Sequence, residues 1–274
     1  MDGADKEGES SGGLGMKAVL LAGGFGTRIS EESQHKPKPM IEIGGKPILW
    51  HIMKGYSHYG VRDFVICAGY KQEMIKAWFN NYFIYTSDVT FDFTAKNKII
   101  LHAQHSEPWR VTVVDTGLGV MTGGRIKRIQ SYIGNERFCM TYGDGVCDVN
   151  IEKLIVFHRS HGKLATLTAV LQDQSKGILD IDGDSTVRSF REKSVSDGAM
   201  VNAGYMVLEP KVFELLTGDA CIFEKDPLAK LAEEGELMSY QHKGFWQCMD
   251  TLREKLELEA LWKAGRAPWK VWEN

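Results

Sequence analysis

Short apolar runs, separated by glycines, prolines and charged residues, set the pattern along this chain. Residues 17–22 (KAVLLA) are apolar almost throughout and run into glycines, as expected of a central strand buried on both faces. Residues 63–68 (DFVICA) repeat the pattern, and 111–114, 138–142, 165–170 and 201–208 read as further strands. Between the strands the apolar period lengthens from two residues to that of a helix. Ile48, Leu49, Ile52, Met53 and Tyr56 fall on one face of a helix that Pro47 opens, proline being suited to a first helical position. Further helices are expected over 71–80, 151–161, 226–234 and 251–264. Such alternation predicts an α/β fold with a mostly parallel, doubly wound, Rossmann-like sheet covered on both faces. Phe91, Phe93 and residues 99–102 read as a small β-rich insertion. Neither an internal repeat nor a Pro-rich linker interrupts the pattern, so residues 16–274 are expected to form a single domain.

Composition narrows the picture. Residues 1–15 (MDGADKEGESSGGLG) hold one leucine among Gly, Ser and acidic residues, too little apolar area to offset ordering, and read as a disordered tail. No apolar run approaches the roughly 20 residues that cross a bilayer, and no cationic, apolar leader opens the chain. The expectation is a cytoplasmic protein with no membrane partner. A formal net charge of -3 speaks against a general nucleic-acid binder while leaving room for a local basic site. Cys67, Cys139, Cys147, Cys221 and Cys248 are scattered and form no CxxC pair, which argues against a disulfide framework or a structural zinc site. His158 and His161 stand i, i+3 on an expected helix and read as ordinary surface histidines.

In an open α/β sheet, ligands bind at the carboxyl ends of the strands. The first strand is followed by Gly23-Gly24-Phe25-Gly26-Thr27-Arg28 and then Lys36-Pro37-Lys38-Pro39-Met40. Glycines let the backbone approach a ligand closely and aim N–H groups at phosphate oxygens. Arg28 and Lys38 add the charge that backbone dipoles lack. The spacing is neither a dinucleotide fingerprint nor a Walker A loop, since Ile29 stands where the third glycine would fall and no Gly-Lys-Ser/Thr follows. Thr122-Gly123-Gly124-Arg125 reads as the start of another helix, with Thr122 as its cap and free N–H groups facing an anion. Asp144 follows a strand between Gly143 and Gly145, and Asp250 precedes the last helix. Alone, Asp144 reads equally as a turn residue and Asp250 as a helix cap. Asp148 is a third, weaker candidate.

The run Leu21-Ala22-Gly23-Gly24-Phe25-Gly26-Thr27-Arg28, with the Pro-Lys-Pro segment and Gly44-Gly45-Lys46-Pro47-Ile48-Leu49, resembles the signature of the sugar-nucleotide pyrophosphorylases. The resemblance implies the nucleotide-diphospho-sugar transferase fold, with Mg²⁺ as cofactor and a homo-oligomer as assembly. It implies that Leu21, Ala22, Gly23, Gly24, Gly26, Thr27, Thr122, Arg125 and Gly143 bind the nucleotide. Arg28 and Lys38 would act on its phosphates, Asp144 and Asp250 would hold the metal, and Gly177, Glu192, Lys193 and Asn202 would bind the sugar phosphate. Residues 42–54, Glu107-Pro108-Trp109, residues 113–117, Met121-Thr122-Gly123-Gly124-Arg125 and Gly244-Phe245-Trp246-Gln247 are similar to the cytidylyltransferase branch of that family. That branch implies CTP and glucose 1-phosphate as substrates. Lys176, Ser194 and Ala203 depart from its pattern on the sugar side. Two alternatives stand beside it: a sister enzyme using UTP, dTTP or another sugar 1-phosphate, and a non-catalytic nucleotide-binding subunit.

Overall fold

The computed structural model describes residues 15–172, 178–181, 187–191 and 199–273. The tail expected over 1–15 lies, except for Gly15, outside the described residues, as do Lys176, Gly177, Glu192, Lys193 and Ser194.

β1 (Lys17–Ala22) lies at the centre of the fold. A one-turn helix α1 (Ser30–Ser33) and a small hairpin, β2 (Glu42–Ile43) with β3 (Lys46–Pro47), lead into α2 (Ile48–His58). Pro47 occupies the cap position before α2 rather than its first turn. The apolar stripe is as expected: Ile48, Leu49, Ile52, Met53 and Tyr56 are all buried. β4 (Asp63–Ala68) is followed by α3 (Gln72–Tyr85), which runs past the expected stop at Asn80 because no breaker lies between. β5 (Ser87–Asp92) and β6 (Lys98–Gln104) form the expected insertion as an antiparallel hairpin, and β7 (Arg110–Asp115) returns the chain to the main sheet.

The second half begins with α4 (Thr122–Arg128) and α5 (Gln130–Ile133), then β8 (Phe138–Tyr142), the short β9 (Gly145–Cys147) and α6 (Ile151–His161). β10 (Ala165–Gln172), the hairpin β11 (Ile178–Ile181) with β12 (Val187–Arg191), and β13 (Ala199–Leu208) come next. α7 (Asp226–Glu233), β14 (Leu237–His242), β15 (Trp246–Cys248) and α8 (Leu252–Lys263) complete the fold.

Seven strands form one sheet in the order β14-β10-β13-β8-β1-β4-β7. β13 alone runs against its neighbours, β10 and β8. The chain moves from β1 outward through β4 to β7, then crosses back to place β8 on the other side of β1. That reversal opens a crevice between the carboxyl ends of β1 and β8, the place where doubly wound sheets bind ligands.

Alternation along β1 explains the double layer. Ala18, Leu20 and Ala22 pack with Ile48, Ile52, Leu154 and Leu258 on one face, while Val19 and Leu21 pack with Ile126, Phe138 and Phe213 on the other. Phe138 is fully buried and stacks on Phe213 at 5.5 Å. Truncating a ring so placed costs about 3–5 kcal/mol. Trp262, Trp269 and Trp272 ring the buried His51, whose Nε2 lies 2.8 Å from the Ile43 carbonyl. They anchor the C-terminal segment beneath α2.

All five cysteines are free, and four are buried. His158 corrects the sequence reading, for it is buried: Nδ1 lies 2.8 Å from Thr166 Oγ1 and Nε2 3.2 Å from Glu209. His161, half-buried, lies 2.7 Å from the same hydroxyl. Both histidines serve the packing of α6 on β10. Among the described residues no helix is long and apolar enough to cross a membrane.

Candidate active site

A cleft of about 400 Å³ opens at the carboxyl edge of β1 and β8. Leu21, Ala22, Gly23, Gly24, Gly26, Thr27 and Arg28 are among its lining residues, as are Thr122, Arg125, Gly143, Asp144 and Lys38. All of the residues expected to bind nucleotide or act on its phosphates therefore line one cavity. Gly26 adopts φ +66°, and its carbonyl accepts from Ile29 N–H at 3.1 Å, folding Thr27–Ile29 into a tight turn that presents Arg28. A side chain would be strained at that φ. Gly24 is different. A Cβ built there would meet nothing within 4 Å, so the space above it belongs to the cleft.

Lys38 sits in a 3-10 turn bracketed by Pro37 and Pro39, whose fixed φ angles stiffen it. Its ammonium lies 2.7 Å from Asp144 Oδ2 and is paired with Asp250 as well. Burial pulls the Lys38 pKa down, but Asp144 and Asp250 together outweigh it and hold the group above its ordinary value. Lys38 is thus a fixed cation at the cleft mouth. Arg28 reaches the far side of Asp250 at 2.7 Å, with its side chain 72% exposed.

Backbone pairing explains how Asp250 comes to face Asp144 across more than a hundred residues of sequence. β15 pairs antiparallel with β9, Cys248 opposite Gly145, and Met249 N–H donates to the Asp144 carbonyl at 2.8 Å. That ladder brings the two carboxylates onto one cation. Asp250 is not the cap of α8. Thr251 is, its hydroxyl and the Glu254 carboxylate forming a reciprocal capping box. Asp148 points elsewhere, accepting from His242 at 2.7 Å and from Phe245 N–H at 2.8 Å.

The start of α4 corrects the reading of Thr122 as a helix cap with free N–H groups facing an anion. Met121, not Thr122, is the cap residue. Gly123 and Gly124 N–H donate to the Cys221 carbonyl at 2.9 and 3.3 Å, so they do not face the cleft. Thr122 Oγ1 donates to Glu224 at 2.6 Å and accepts from Phe223 N–H at 2.9 Å. The Arg125 guanidinium is buried among backbone carbonyls, and burial holds its pKa below the ordinary arginine value. Asn202 lies on β13, its Oδ1 accepting from Gly204 N–H at 2.8 Å, and does not line the cleft.

Sequence reasoning passed over Tyr142 and Glu224. Tyr142 lines the cleft and its hydroxyl donates to Glu224, which also holds Thr122. The Tyr142 ring occupies the space a side chain at Gly204 would need. Tyr142 stands two residues before Asp144 at a strand end, a position that pointed to it; Glu224 carries no signal in its own segment.

An open α/β sheet that carries a glycine loop, two cations and two converging carboxylates at its switch point has the parts that phosphate-ester chemistry requires. The chain belongs to the nucleotidyl transferase family, whose model matches residues 17–258. It is 57% identical over 259 residues to a glucose-1-phosphate cytidylyltransferase of Salmonella typhi, an alignment covering 94% of this chain and all of that one. A probable glucose-1-phosphate cytidylyltransferase of Bacillus subtilis is 44% identical over 258 residues, with 94% and 100% covered. Among solved structures, HddC from Yersinia pseudotuberculosis complexed with GMP-PN superposes with a TM-score of 0.62 at 26% identity, covering 90% of this chain and 99% of that one. A UDP-glucose pyrophosphorylase complexed with UDP-glucose shares the fold, with a TM-score of 0.64 at 17% identity and coverage of 92% and 99%.

Proposed function

We propose that this protein transfers the cytidylyl group of CTP to α-D-glucose 1-phosphate, yielding CDP-glucose and pyrophosphate. The identity with cytidylyltransferases along their whole length supports this choice of substrates. The observation that carries the chemistry is the convergence of Asp144 and Asp250 on the Lys38 ammonium at the mouth of the glycine-lined cleft.

That convergence also tests the fit of a metal. Two carboxylates already share one cation, and an all-oxygen donor set is the kind that suits Mg²⁺. Asp144 and Asp250 are the residues that would hold it. When bound, Mg²⁺ supplies charge neutralisation on the reacting phosphates.

A phosphate oxygen of the sugar 1-phosphate attacks the α-phosphorus, a new P–O bond forms in line, and the bond to pyrophosphate breaks. The attacking oxygen is already anionic at neutral pH, so no general base is needed. Catalysis then rests on positioning and on charge placed where negative charge grows. Lys38 and Arg28 are the cations for that role, and the glycine loop brings the backbone against the triphosphate. The test is pyrophosphate release across a matrix of CTP, UTP and dTTP against several sugar 1-phosphates with Mg²⁺. Turnover with CTP and glucose 1-phosphate well above every other pair is expected. Preference for another nucleotide, or nucleotide binding without turnover, would overturn the reading.

A further inference from the structure

We propose that Cys147, Asp148 and His242 form a Zn²⁺ site, separate from the carboxylate pair in the cleft. Cys147 is the last residue of β9, Asp148 follows it, and His242 is the last residue of β14. The Cys147 thiol, an Asp148 carboxylate oxygen and a His242 ring nitrogen all lie within 4.8 Å of one another. No CxxC spacing marks the group, because the fold assembles it from two segments far apart in sequence. Cys147 pairs with Trp246 across the β9–β15 ladder, which brings the end of β14 alongside.

The turn between β14 and β15 is shaped around these side chains. Asp148 N–H donates to the Phe245 carbonyl at 3.1 Å, and Asp148 Oδ1 accepts from Phe245 N–H at 2.8 Å. His242 Nε2 lies 2.7 Å from the same oxygen. A Cβ on Gly244 would stand 2.4 Å from Asp148 Oδ1 and 2.7 Å from His242 Cε1. Gly244 is not among the glycines with left-handed φ, so the carboxylate and the imidazole are what exclude a methyl group there. Cys147 is 7% exposed and belongs to the core, whereas the His242 and Asp148 side chains are 12% and 27% exposed and give an ion a way in.

The donor set decides the metal. Sulfur, imidazole and carboxylate together suit Zn²⁺, whereas Mg²⁺ and Ca²⁺ take oxygen. Asp144 and Asp250, at the other end of the same ladder, offer oxygen, so the two clusters select cations of different hardness. With bonds of about 2.0–2.3 Å, tetrahedral zinc spaces its ligand atoms about 3.3–3.8 Å apart. Parting the imidazole from the carboxylate and drawing in the thiol meets that spacing with shifts of about 1 Å. On binding, the imidazole coordinates in its neutral form, the thiol gives its proton to solvent, and water supplies the fourth ligand. Phe245 N–H continues to orient the Asp148 carboxylate, and the ion fastens β9 to the end of β14.

The test is metal binding by the full chain, stripped with a chelator and then held in excess Mg²⁺ so that the cleft carboxylates are occupied. Calorimetry is expected to show about one Zn²⁺ bound per chain. Co²⁺ in its place should give a thiolate-to-metal absorption band together with the visible bands of tetrahedral coordination. Cys147→Ala should remove the thiolate band and weaken zinc binding about 100-fold or more, since even an outer-shell partner is worth 10–100-fold. His242→Gln should weaken binding to a similar extent, and it leaves the buried cysteine in place should Cys147→Ala fail to fold. Cys248→Ala and Asp144→Asn should bind zinc as the parent does. Absence of stoichiometric zinc, or zinc held equally well without His242, would overturn the proposal. Loss of the thiolate band in Cys248→Ala, or of zinc in Asp144→Asn, would overturn it too, by placing the metal at the cleft. None of these readouts needs a nucleotide, so the site stands or falls apart from the proposed activity.

Discussion

The loop after β1 and the start of α4 each set glycines ahead of an arginine, yet the two segments use those residues in opposite ways. In Gly23-Gly24-Phe25-Gly26-Thr27-Arg28, space is left open above Gly24, and Arg28 is 72% exposed and paired with Asp250. In Thr122-Gly123-Gly124-Arg125, both glycines lie against the chain. A Cβ on Gly123 would stand 2.5 Å from Cys221 Sγ, and one on Gly124 2.7 Å from the Asp219 Cα. Arg125 is buried in carbonyls. One segment borders the cleft with space left open, and the other commits its polar groups to the protein, Arg125 holding the Gly23 carbonyl. Residue type alone does not separate these roles; what surrounds each residue does.

The most forceful way to break this comparison is to remove a cation from the open side. Lys38→Ala is expected to lower kcat about 10²–10³-fold, the usual cost of a lost transition-state interaction. The fold should survive, since the side chain serves the two cleft carboxylates rather than the core. Steady-state kinetics beside a melting curve checks both halves. Near-normal turnover would remove Lys38 from the chemistry.

On the committed side the expected loss is in stability. Gly124→Ala drives a methyl group against the Asp219 backbone and Val120 Cγ1, both 2.7 Å away. Overpacking of this kind costs about 1–3 kcal/mol. Urea unfolding should show that loss. An unchanged midpoint would mean that the Asp219–Cys221 segment yields to the methyl group.

The strands were legible because both faces of the sheet are covered, which makes each central strand an apolar run with sharp ends. β1, β4 and β8 begin and end where their runs do. Three contributions were not legible. β15 is three residues long, too short to show a period, yet it carries Asp250 to Asp144. Thr122 opens an expected helix and so looks like a cap, but the carbonyls of Asp219 and Cys221 meet the amides there, and they come from a loop about a hundred residues away. His158 looked like a surface residue on an amphipathic helix, although Thr166 and Glu209 receive it in the interior. In each case a partner distant in sequence takes part: β9, the Cys221 carbonyl and Glu209.

A milder test returns to the open side. Gly24→Ala meets nothing within the protein and has no left-handed φ to offend. Its melting temperature should hold or rise slightly, as alanine reduces the freedom of the unfolded chain. On the proposed function, nucleotide affinity should nevertheless weaken about tenfold, because the methyl intrudes on the cleft; a loss of about 1.4 kcal/mol corresponds to that factor. Calorimetry with CTP would show it. Stability loss without affinity loss would invert the contrast between Gly24 and Gly124.

The smallest effect concerns a titratable group given over to structure. His51 is 1% exposed, its Nε2 against the Ile43 carbonyl and its Nδ1 accepting from Trp269 Nε1–H at 3.4 Å, an arrangement for the neutral ring. Burial lowers its pKa to about 4. Between that value and the ordinary histidine range the unfolded chain binds a proton that the folded one refuses, so stability rises with pH across the window and falls on acidification. From pH 7 to pH 5.5 the loss from this one group is about 1 kcal/mol. Urea titrations at both pH values should show a smaller acid loss in His51→Gln than in the parent, even if the variant starts lower. Equal losses would mean that His51 takes up its proton within the fold, and the tryptophans around it would then be guarding a charge rather than a neutral ring.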